Sequence, residues 1–517
     1  MAINIAKVTG RLFFVTSFSR ILQILSAVVI AASFGTSRQM DTYQLAFSFS
    51  EIVIGIVIVA LNVVFIPVYW DIAKNEGNEN ARDYFNNLFF IVIVISIILA
   101  AAGIFVSPLF ARILPGYAGI FHNLFFKLMV IAFILLIPRV IAGMLNNFLN
   151  ATKKFIAPAV VEIPMNLLFI MAVLFFKAKT GIYSLAIAVA LANLLSLILL
   201  FIISCRKGLR FKWSLNIKID KNIIHTAKLS LPILLAAAAS QINVNVDKIM
   251  ASFLPEGSIS TLFYAKNIRE LMVVFIIIPI AAVVFPFFSE YSAGKANDKT
   301  IDLNARVIKV LVFLLVPATF LIIILAKPLV RLVYEYGAFD SRSVHTTSIA
   351  LMLYSLGIFW MGINYIIARV FYALKENTLI FFVGIFSILS NILLNLILMR
   401  FFFYAGIALS TSIVETIVTI FLLMALKRKL GYLKEKEIMF SFFKIFTASL
   451  IMSGVLFYFI NMFQLCGSGF IIRFLNFIMP LAAGLIVYIL LCILLKVEEL
   501  AVVLRNLPFI GKFTERR

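Results

Sequence analysis

Charged residues are scarce in this sequence, since Asp, Glu, Lys and Arg together make up 13% of its 517 residues. A soluble domain carries about 25% charged and about 45–50% apolar residues. This chain is 63% hydrophobic, with a mean hydropathy of +1.10. A soluble globule of this length cannot bury so much apolar surface. The composition therefore excludes that class and predicts a membrane protein.

Cysteine and histidine are also rare, with three of each. Cys205, Cys466 and Cys492 lack the spacing of a disulfide framework or a zinc site. The sequence contains no HExxH, GxSxG or Walker-type glycine motif. Because it offers so few recognisable catalytic arrangements, we predict a protein that is not an enzyme.

Apolar runs of about 20 residues or more dominate the chain, the length that crosses a hydrocarbon core as a helix. The runs do not alternate polar and apolar residues, which excludes the strands of a membrane barrel. Because backbone polar groups in lipid must be satisfied internally, we predict an all-α polytopic membrane protein. Fourteen transmembrane helices are expected near residues 11–34, 42–69, 86–112, 124–149, 156–177, 181–204, 229–254, 258–288, 307–333, 344–373, 378–400, 404–426, 441–462 and 471–495.

The net charge of +22 is also typical of nucleic-acid-binding proteins. Here the Lys and Arg residues lie between the spans and not on one basic face, so no nucleic-acid partner is expected. They concentrate at 153–154, 206–228, 295–306 and 427–436, which all fall on one side of the membrane if the chain alternates through fourteen spans. The positive-inside rule then places both termini in the cytoplasm.

Comparison of the sequence with itself shows an internal repeat at an offset of 219 residues. The matches include a Glu, a Pro and a small-residue triplet, whereas chance would favour Leu, Ile and Val. At slightly different offsets, LNATK at 149–153 resembles FYALK at 371–375, and GI at 181–182 resembles GI at 406–407. The offset of 219 pairs ASF at 32–34 with ASF at 251–253, Thr42 with Thr261, Ala46 with Ala265, Glu51 with Glu270, Pro67 with Pro286 and Asp71 with Glu290.

The repeat predicts two six-helix pseudo-repeats with two further helices at the C-terminal end. An even number of spans in each repeat makes the two parallel, as in transporters that bind cargo near the midplane and alternate access. The predicted divisions are an N-terminal lobe at 1–204, a basic cytoplasmic linker at 205–228, a C-terminal lobe at 229–427, helices thirteen and fourteen at 428–496, and an amphipathic cytoplasmic tail at 497–517.

Three segments carry a family resemblance. They are SRILQILSAVVIAASFGTSRQMDTYQLAF at 19–47, VDKIMASFLPEGSISTLFYAKNIREL at 246–271 and YEYGAFDSRSVHTTSIALMLYSLGIFWMGINYIIARVFYALKENT at 334–378. They resemble the MurJ/MviN family of lipid II flippases, and the likeness covers spans one to twelve at least. It implies the family's fourteen-span fold, and the wider group is the MOP superfamily, which also includes O-antigen-type polysaccharide flippases and MATE drug exporters.

The resemblance implies a flippase that moves a polyprenyl-diphosphate-linked cell-wall precursor, similar to lipid II, across the bacterial cytoplasmic membrane. The implied partners are an undecaprenyl-diphosphate-linked glycan, membrane lipids and cell-wall synthases. The main alternative is a Wzx-type flippase for exopolysaccharide or O-antigen repeat units. A MATE-type cation or drug antiporter and a non-transporting scaffold for synthases are more distant alternatives.

Charged residues inside the spans are the candidate substrate ligands, because charge at membrane depth usually faces a cavity or a partner. Arg20 matches the family's first-span arginine, and a guanidinium suits a diphosphate through paired hydrogen bonds. Asp41 matches an acidic residue near the start of the second span and suits an N-cap for that helix equally well. The other candidates are Glu51, Arg139, Lys266, Arg269, Glu270 and Arg369, with ion pairing or snorkelling to the membrane surface as the alternative.

The chain departs from the family at several cationic positions. It has Ser26 and Ala27 where the family's first span carries a second Arg and then an Asp, and Asn267 stands at the family's span-eight arginine. These departures leave a different undecaprenyl-linked glycan open as the cargo.

A second polar group resembles the family's sodium site in the C-terminal half. It comprises Asp247 in span seven, Asn391 and Asn395 one turn apart in span eleven, and Thr411 in span twelve. Such hard-oxygen ligands suit Na⁺ as a coupling ion, and interhelical hydrogen bonding is the alternative interpretation.

Overall fold

The structure is a computed structural model that describes residues 2–113, 120–207, 209, 219–294, 296–462 and 469–505. Every regular element within these residues is helical, as predicted. The chain divides into two compact units, Met1–Ser260 and Thr261–Arg517. The predicted lobes, which divide at 204 and 229, stay a prediction.

The first unit is built around the helix that follows the first short loop. This helix, α2, begins at Arg38 after the N-cap Ser37 and packs against α3, α4, α5 and α8. A second layer forms where α6 packs against α1 and α7. The helices of this unit are α1 Ala2–Phe34, α2 Arg38–Asn75, α3 Asn78–Ile113, α4 Ile120–Ile134, α5 Leu136–Ala151, α6 Ile156–Thr180, α7 Tyr183–Arg206 and α8 Lys221–Ala251.

The second unit surrounds α11, the most deeply buried of its long helices, which packs against α12, α13, α15 and α16. A π-helical turn at Val273–Ile277 connects α9 to α10, so that the two form one predicted span. The helices are α9 Ser258–Met272, whose first three residues belong to the first unit, α10 Ile278–Ala293, α11 Asn297–Tyr334, α12 Ser341–Ser355, α13 Ile358–Ala373, α14 Asn377–Leu430, α15 Glu435–Met462, α16 Phe470–Leu494 and α17 Glu498–Arg505.

The number of crossings depends on α14. Twelve helices of the described residues are long and apolar enough to cross a membrane, and the bent pair α12 and α13 makes a thirteenth crossing. As one rod, the 54 residues of α14 would extend about 81 Å, more than twice a hydrocarbon core of ~30 Å. The chain instead reverses at Phe403, because Asn395 and Ser410 are hydrogen-bonded although 15 residues of straight helix would separate them by about 22 Å. Two arms, 377–402 and 404–430, therefore bring the described crossings to the predicted fourteen.

The internal repeat is visible in the backbone. Lys153 after α5 and Lys375 after α13, which end the matched LNATK and FYALK segments, have φ of 59° and 61°. At both helix ends the next N–H reaches back five residues to a carbonyl, at 2.8 and 2.9 Å, as in a Schellman motif. Lys153 and Lys375 are 222 residues apart. The same spacing separates Leu135, between α4 and α5, from Gly357, between α12 and α13, and both of these residues interrupt a span. The repeat is therefore confirmed.

The same offset corrects one predicted match. Gly181 ends α6 with φ 55° and ψ −130°, nearly the values at Phe403, where φ is 51° and ψ −132°. The structural counterpart of Gly181 is therefore Phe403. The pairing of GI at 181–182 with GI at 406–407 was wrong by three residues, because it followed identical letters and not the turn.

Two predicted segments lie partly outside the described residues. Of the basic linker at 205–228, residues 208 and 210–218 are not described, and Lys221 already begins α8. Of the predicted tail, α17 packs against α11 and α16, and Glu499 accepts a 2.7 Å hydrogen bond from the Ser441 hydroxyl. Residues 506–517 are not described.

Candidate substrate-binding site

Arg20 of α1 carries an exposed guanidinium within the apolar span that ends at Phe34. Its Nη1 donates a 2.7 Å hydrogen bond to Oε1 of Gln23, one turn further along the helix. Gln23 is neutral, and no carboxylate among the described residues forms an ion pair with Arg20. A guanidinium in this state at membrane depth is available to an anionic ligand.

The preceding residue, Ser19, is 1% exposed and lies in the contact between α1 and α6. Its hydroxyl donates to Oε2 of Glu162 at 2.7 Å and accepts from Nδ2 of Asn166 at 3.3 Å. Neighbouring helical residues are about 100° apart around the axis. These bonds therefore hold α1 in a rotation that leaves Arg20 on an exposed face.

Glu51 of α2 forms an ion pair with Lys248 of α8, with 3.4 Å between Oε2 and Nζ. The two side chains are 40% and 22% exposed, so the pair is partly accessible. Arg139, near the start of α5, is half-buried, and it lies with Glu51 within electrostatic range of the Tyr43 hydroxyl. The first unit therefore brings two predicted site residues, Glu51 and Arg139, into one polar region.

Asp41 is 1% exposed and accepts three hydrogen bonds where α9 begins. The donors are the backbone N–H of Gly257 at 2.6 Å, the N–H of Ser260 at 2.8 Å and the Ser260 hydroxyl at 2.7 Å. In return, Oε1 of Glu256 accepts the backbone N–H of Arg38 at 2.8 Å, at the start of α2. Asp41 thus caps α9 and not its own helix, which corrects the capping alternative. A role in substrate binding stays a prediction.

Arg269 of α9 is 4% exposed and lies against Glu415 of the second α14 arm, with 3.5 Å between Nη2 and Oε1. The other Glu415 oxygen accepts from Nδ2 of Asn364 in α13 at 3.4 Å. The same Nη2 lies 2.7 Å from Sδ of Met361, and Nε finds no acceptor among the described residues. N–H···O bonds are usually about 2.7–3.2 Å. The guanidinium is therefore engaged internally but incompletely satisfied.

Lys266 and Glu270 accompany this pair. Both are half-buried, and both act electrostatically on the Glu415 carboxylate together with Arg269. The π-helical turn Val273–Ile277 follows directly, and such turns are frequent at functional sites. The second unit therefore groups three predicted residues around Glu415, a residue that the sequence reasoning did not select.

Arg369 of α13 lies among aromatic rings. Its guanidinium carbon is 4.9 Å from the ring centre of Tyr365, 5.8 Å from that of Tyr372 and 5.9 Å from that of Phe285, and Nη2 donates to the Tyr365 hydroxyl at 3.0 Å. Ring faces attract a cation without neutralising it. Arg369 therefore keeps its positive charge in this setting.

The predicted sodium ligands are divided between the two units. Asn395 donates to Oδ1 of Asn391 at 3.1 Å and accepts from the Ser410 hydroxyl, while Thr411 donates to a carbonyl of its own helix at 3.1 Å. Asp247, 8% exposed, belongs to the first unit. Hydrogen bonding between the two arms of α14, the alternative interpretation, is thus present. A sodium site stays a prediction.

Sequence reasoning missed Glu162, Glu415 and their partners. The available signal was charge alone, since an acid inside an apolar span is a functional candidate by default. The partners Ser19, Asn166 and Asn364 are neutral, so they carry no comparable signal. No pattern in the sequence shows which helices face each other.

Within the described residues, fourteen helical crossings, an internal six-span repeat and charged side chains in apolar spans define a polytopic helical membrane protein. Among solved structures, the fold is similar to that of an inward-facing MATE-family multidrug transporter of the MOP superfamily. The TM-score is 0.67 over 81% of this chain and 96% of that one, and at 13% identity this likeness shows the fold alone. The class is therefore a polytopic helical membrane protein with a fold similar to that of this transporter.

A solved structure of the lipid II flippase MurJ in an inward closed conformation is more similar, with a TM-score of 0.79 and 27% identity over 94% of this chain and 98% of that one. Residues 30–477 match the family model for the lipid II flippase MurJ. A probable lipid II flippase MurJ from Buchnera aphidicola subsp. Acyrthosiphon pisum (strain APS) is 28% identical over 484 residues, covering 89% of this chain and 91% of the relative. The chain belongs to the lipid II flippase MurJ family, which confirms the resemblance.

Proposed function

We propose that this protein is a flippase that moves a polyprenyl-diphosphate-linked cell-wall precursor of the lipid II type to the outer leaflet of the bacterial cytoplasmic membrane. The proposal rests on the family match over residues 30–477, which spans nearly all of the predicted crossings. Such transport makes and breaks no covalent bond, so the protein works without being an enzyme. The repeated six-helix design supports alternating access as the mechanism.

Arg20 is the residue that we propose as the first diphosphate ligand. It is exposed within an apolar span, and its one hydrogen bond among the described residues goes to the neutral Gln23, so its fork of N–H groups can turn to two phosphoryl oxygens. Arg369, which keeps its charge among three rings, offers a second cation. Arg269 can contribute only after its contact with Glu415 opens.

No observation favours the exopolysaccharide flippase, the drug antiporter or the scaffold over this function. The likeness to a MATE transporter lies in the fold alone. Cytoplasmic termini and contact with cell-wall synthases belong to the same proposal. The first is supported by the segregation of Lys and Arg between the spans.

Sodium is proposed as the coupling ion. Asp247, Asn391, Asn395 and Thr411 each offer an oxygen ligand inside a span. Flipping by the protein in liposomes should slow when K⁺ replaces Na⁺, and Asp247→Asn should remove this difference. An equal rate in both salts would refute Na⁺ coupling without affecting the proposed cargo.

Complementation tests the cargo. We expect the protein to rescue cells depleted of their own lipid II flippase, and we expect Arg20→Ala to abolish rescue while Arg206→Ala, at the exposed end of α7, preserves it. Both variants must reach the membrane in equal amounts. Normal membrane insertion of the wild-type protein without rescue would assign a different lipid-linked glycan. Rescue by Arg20→Ala would refute the diphosphate ligand.

A further inference from the structure

Glu162 is an acidic side chain inside α6, and no cation among the described residues pairs with it. It lies six residues, or about 9 Å, from the start of the helix at Ile156 and is half-buried. Its side chain accepts one hydrogen bond, from the Ser19 hydroxyl at 2.7 Å. No Lys, Arg or His nitrogen of the described residues lies within the 4.0 Å of an ion pair. Carboxylates at membrane depth normally have a compensating positive charge.

The neutral groups around Glu162 are oriented toward it. Asn166, 7% exposed, donates to the Ser19 hydroxyl oxygen at 3.3 Å and to the backbone carbonyl of Glu162 at 2.8 Å. Ser19 in turn donates its only hydrogen to Oε2 of Glu162. The chain of donors therefore ends on one carboxylate oxygen. The other oxygen, Oε1, receives no hydrogen bond from the described residues.

None of the described charged groups on the neighbouring helices forms an ion pair with Glu162. Helices α1, α5 and α7 pack against α6. Their described titratable or charged side chains, with those of α6 itself, are Arg11, Arg20, Arg139, Tyr183, Cys205, Arg206, Lys177 and Lys179. Arg20, adjacent to Ser19 in the chain, is bonded to Gln23 instead. Glu162 and Arg20, the guanidinium next to Ser19 in the chain, thus have separate neutral partners.

We propose that Glu162, Ser19 and Asn166 form a binding site for the monovalent cation Na⁺ between α1 and α6. The cation adds to the open oxygen Oε1, and Ser19 and Asn166 hold the carboxylate in position to receive it. The site lies entirely in the first unit, whereas Asn391, Asn395 and Thr411 lie in the second. It is independent of the cargo, so its failure leaves the proposed flipping untouched.

Thermal unfolding of the purified full-length Asp247→Asn variant tests the site, because this background removes the other proposed Na⁺ ligand. The buffers are pH 8 with K⁺ and pH 8 with Na⁺. We expect Na⁺ to raise the melting midpoint by about 3 °C, because a ligand that binds only the folded state stabilises it. Adding Glu162→Gln to this background should abolish the rise.

Matched variants separate this site from other acids. Glu51→Gln should keep the full response, because Glu51 is paired with Lys248. A response that persists in the Asp247→Asn background excludes the predicted sodium ligand as its source. Ser19→Ala removes only a hydroxyl and serves if Glu162→Gln fails to fold. Loss of that donor should shift the Na⁺ concentration at half-response about tenfold. No response in the Asp247→Asn background, or an identical response after Glu162→Gln or Ser19→Ala is added, would overturn the proposal.

Discussion

The substitution Asp41→Ala tests whether Asp41 caps α9 or binds the substrate. The substitution removes the acceptor of the bonds from Gly257 N, Ser260 N and Ser260 Oγ, at 2.6, 2.8 and 2.7 Å. The two backbone N–H groups begin α9 and have no substitute acceptor once the carboxylate is gone. The Ser260 hydroxyl can turn to the Gly257 carbonyl, already 3.3 Å away.

The magnitude follows from the two orphaned N–H groups. Each buried donor without an acceptor costs about 1–3 kcal/mol, and the hydroxyl adds little. Removal of a buried carboxylate offsets part of this loss, because its desolvation is no longer needed. A net loss of about 3 kcal/mol results, somewhat above the range of about 0.5–2 kcal/mol for exposed caps. For a unit of 260 residues this corresponds to a melting midpoint lower by about 6–12 °C.

The assay is the fraction of detergent-solubilised protein that stays monodisperse after heating, measured together with complementation. Ser37→Ala is the control, because it removes only the 3.4 Å bond from Met40 N at the start of α2 and should cost at most about 1 kcal/mol. Asp41→Asn keeps one carbonyl acceptor, so its loss of thermal stability should lie between those of Ser37→Ala and Asp41→Ala. If Asp41→Ala melts like the wild type but fails to complement, the capping argument is wrong and Asp41 contacts the substrate.

Three further changes test other parts of the structure. Phe403→Gly should raise the unfolding free energy by about 1 kcal/mol, because φ 51° and ψ −132° suit a residue without Cβ; an unchanged or lower melting midpoint would contradict this strain. Glu415→Ala should cost about 3–5 kcal/mol, since it leaves the buried Arg269 charge unpaired, and adding Arg269→Met should recover most of the loss. An equal loss of thermal stability in the single and double variants would refute that coupling. Hydrogen bonds, first from the Ser343 N–H and then from its hydroxyl, hold the pKa of Asp340 below its ordinary value. Its contribution to stability is therefore present above about pH 4 and lost as the pH falls through the lowered value. Asp340→Asn should flatten this acid limb of the melting profile, and an unchanged limb would exclude Asp340 as its source.

The predicted break between spans eleven and twelve shows how far sequence reasoning reaches. The spans were placed at 378–400 and 404–426, and the chain reverses at Phe403 between them. Length and hydropathy were sufficient, because a helix much longer than the hydrocarbon core has to turn back. The conformation of the turn was not predictable, since Phe does not indicate the positive φ that Gly181 adopts at the equivalent position.

Candidate site residues were selected by charge, but their roles depended on packing. Arg20 was predicted as a substrate ligand, and it is exposed beside Gln23. Arg269 was chosen on the same grounds, yet it lies buried against Glu415, 146 residues away in the chain. Both are arginines in apolar helices, and their local sequences do not distinguish them.

The sequence by itself determined the membrane class, the all-helical fold, the number of crossings and the family. These properties follow from the length of apolar runs, the distribution of charge and the order of residues, which are read along one chain. Only the tertiary structure decided that Asp41 caps α9, that Glu415 meets Arg269 and that Glu162 is left with neutral partners. The partner of a side chain in a helix bundle is set by which neighbouring helix faces it and at what height. Apolar spans carry little information about that choice, because many rotations of a helix bury similar surface.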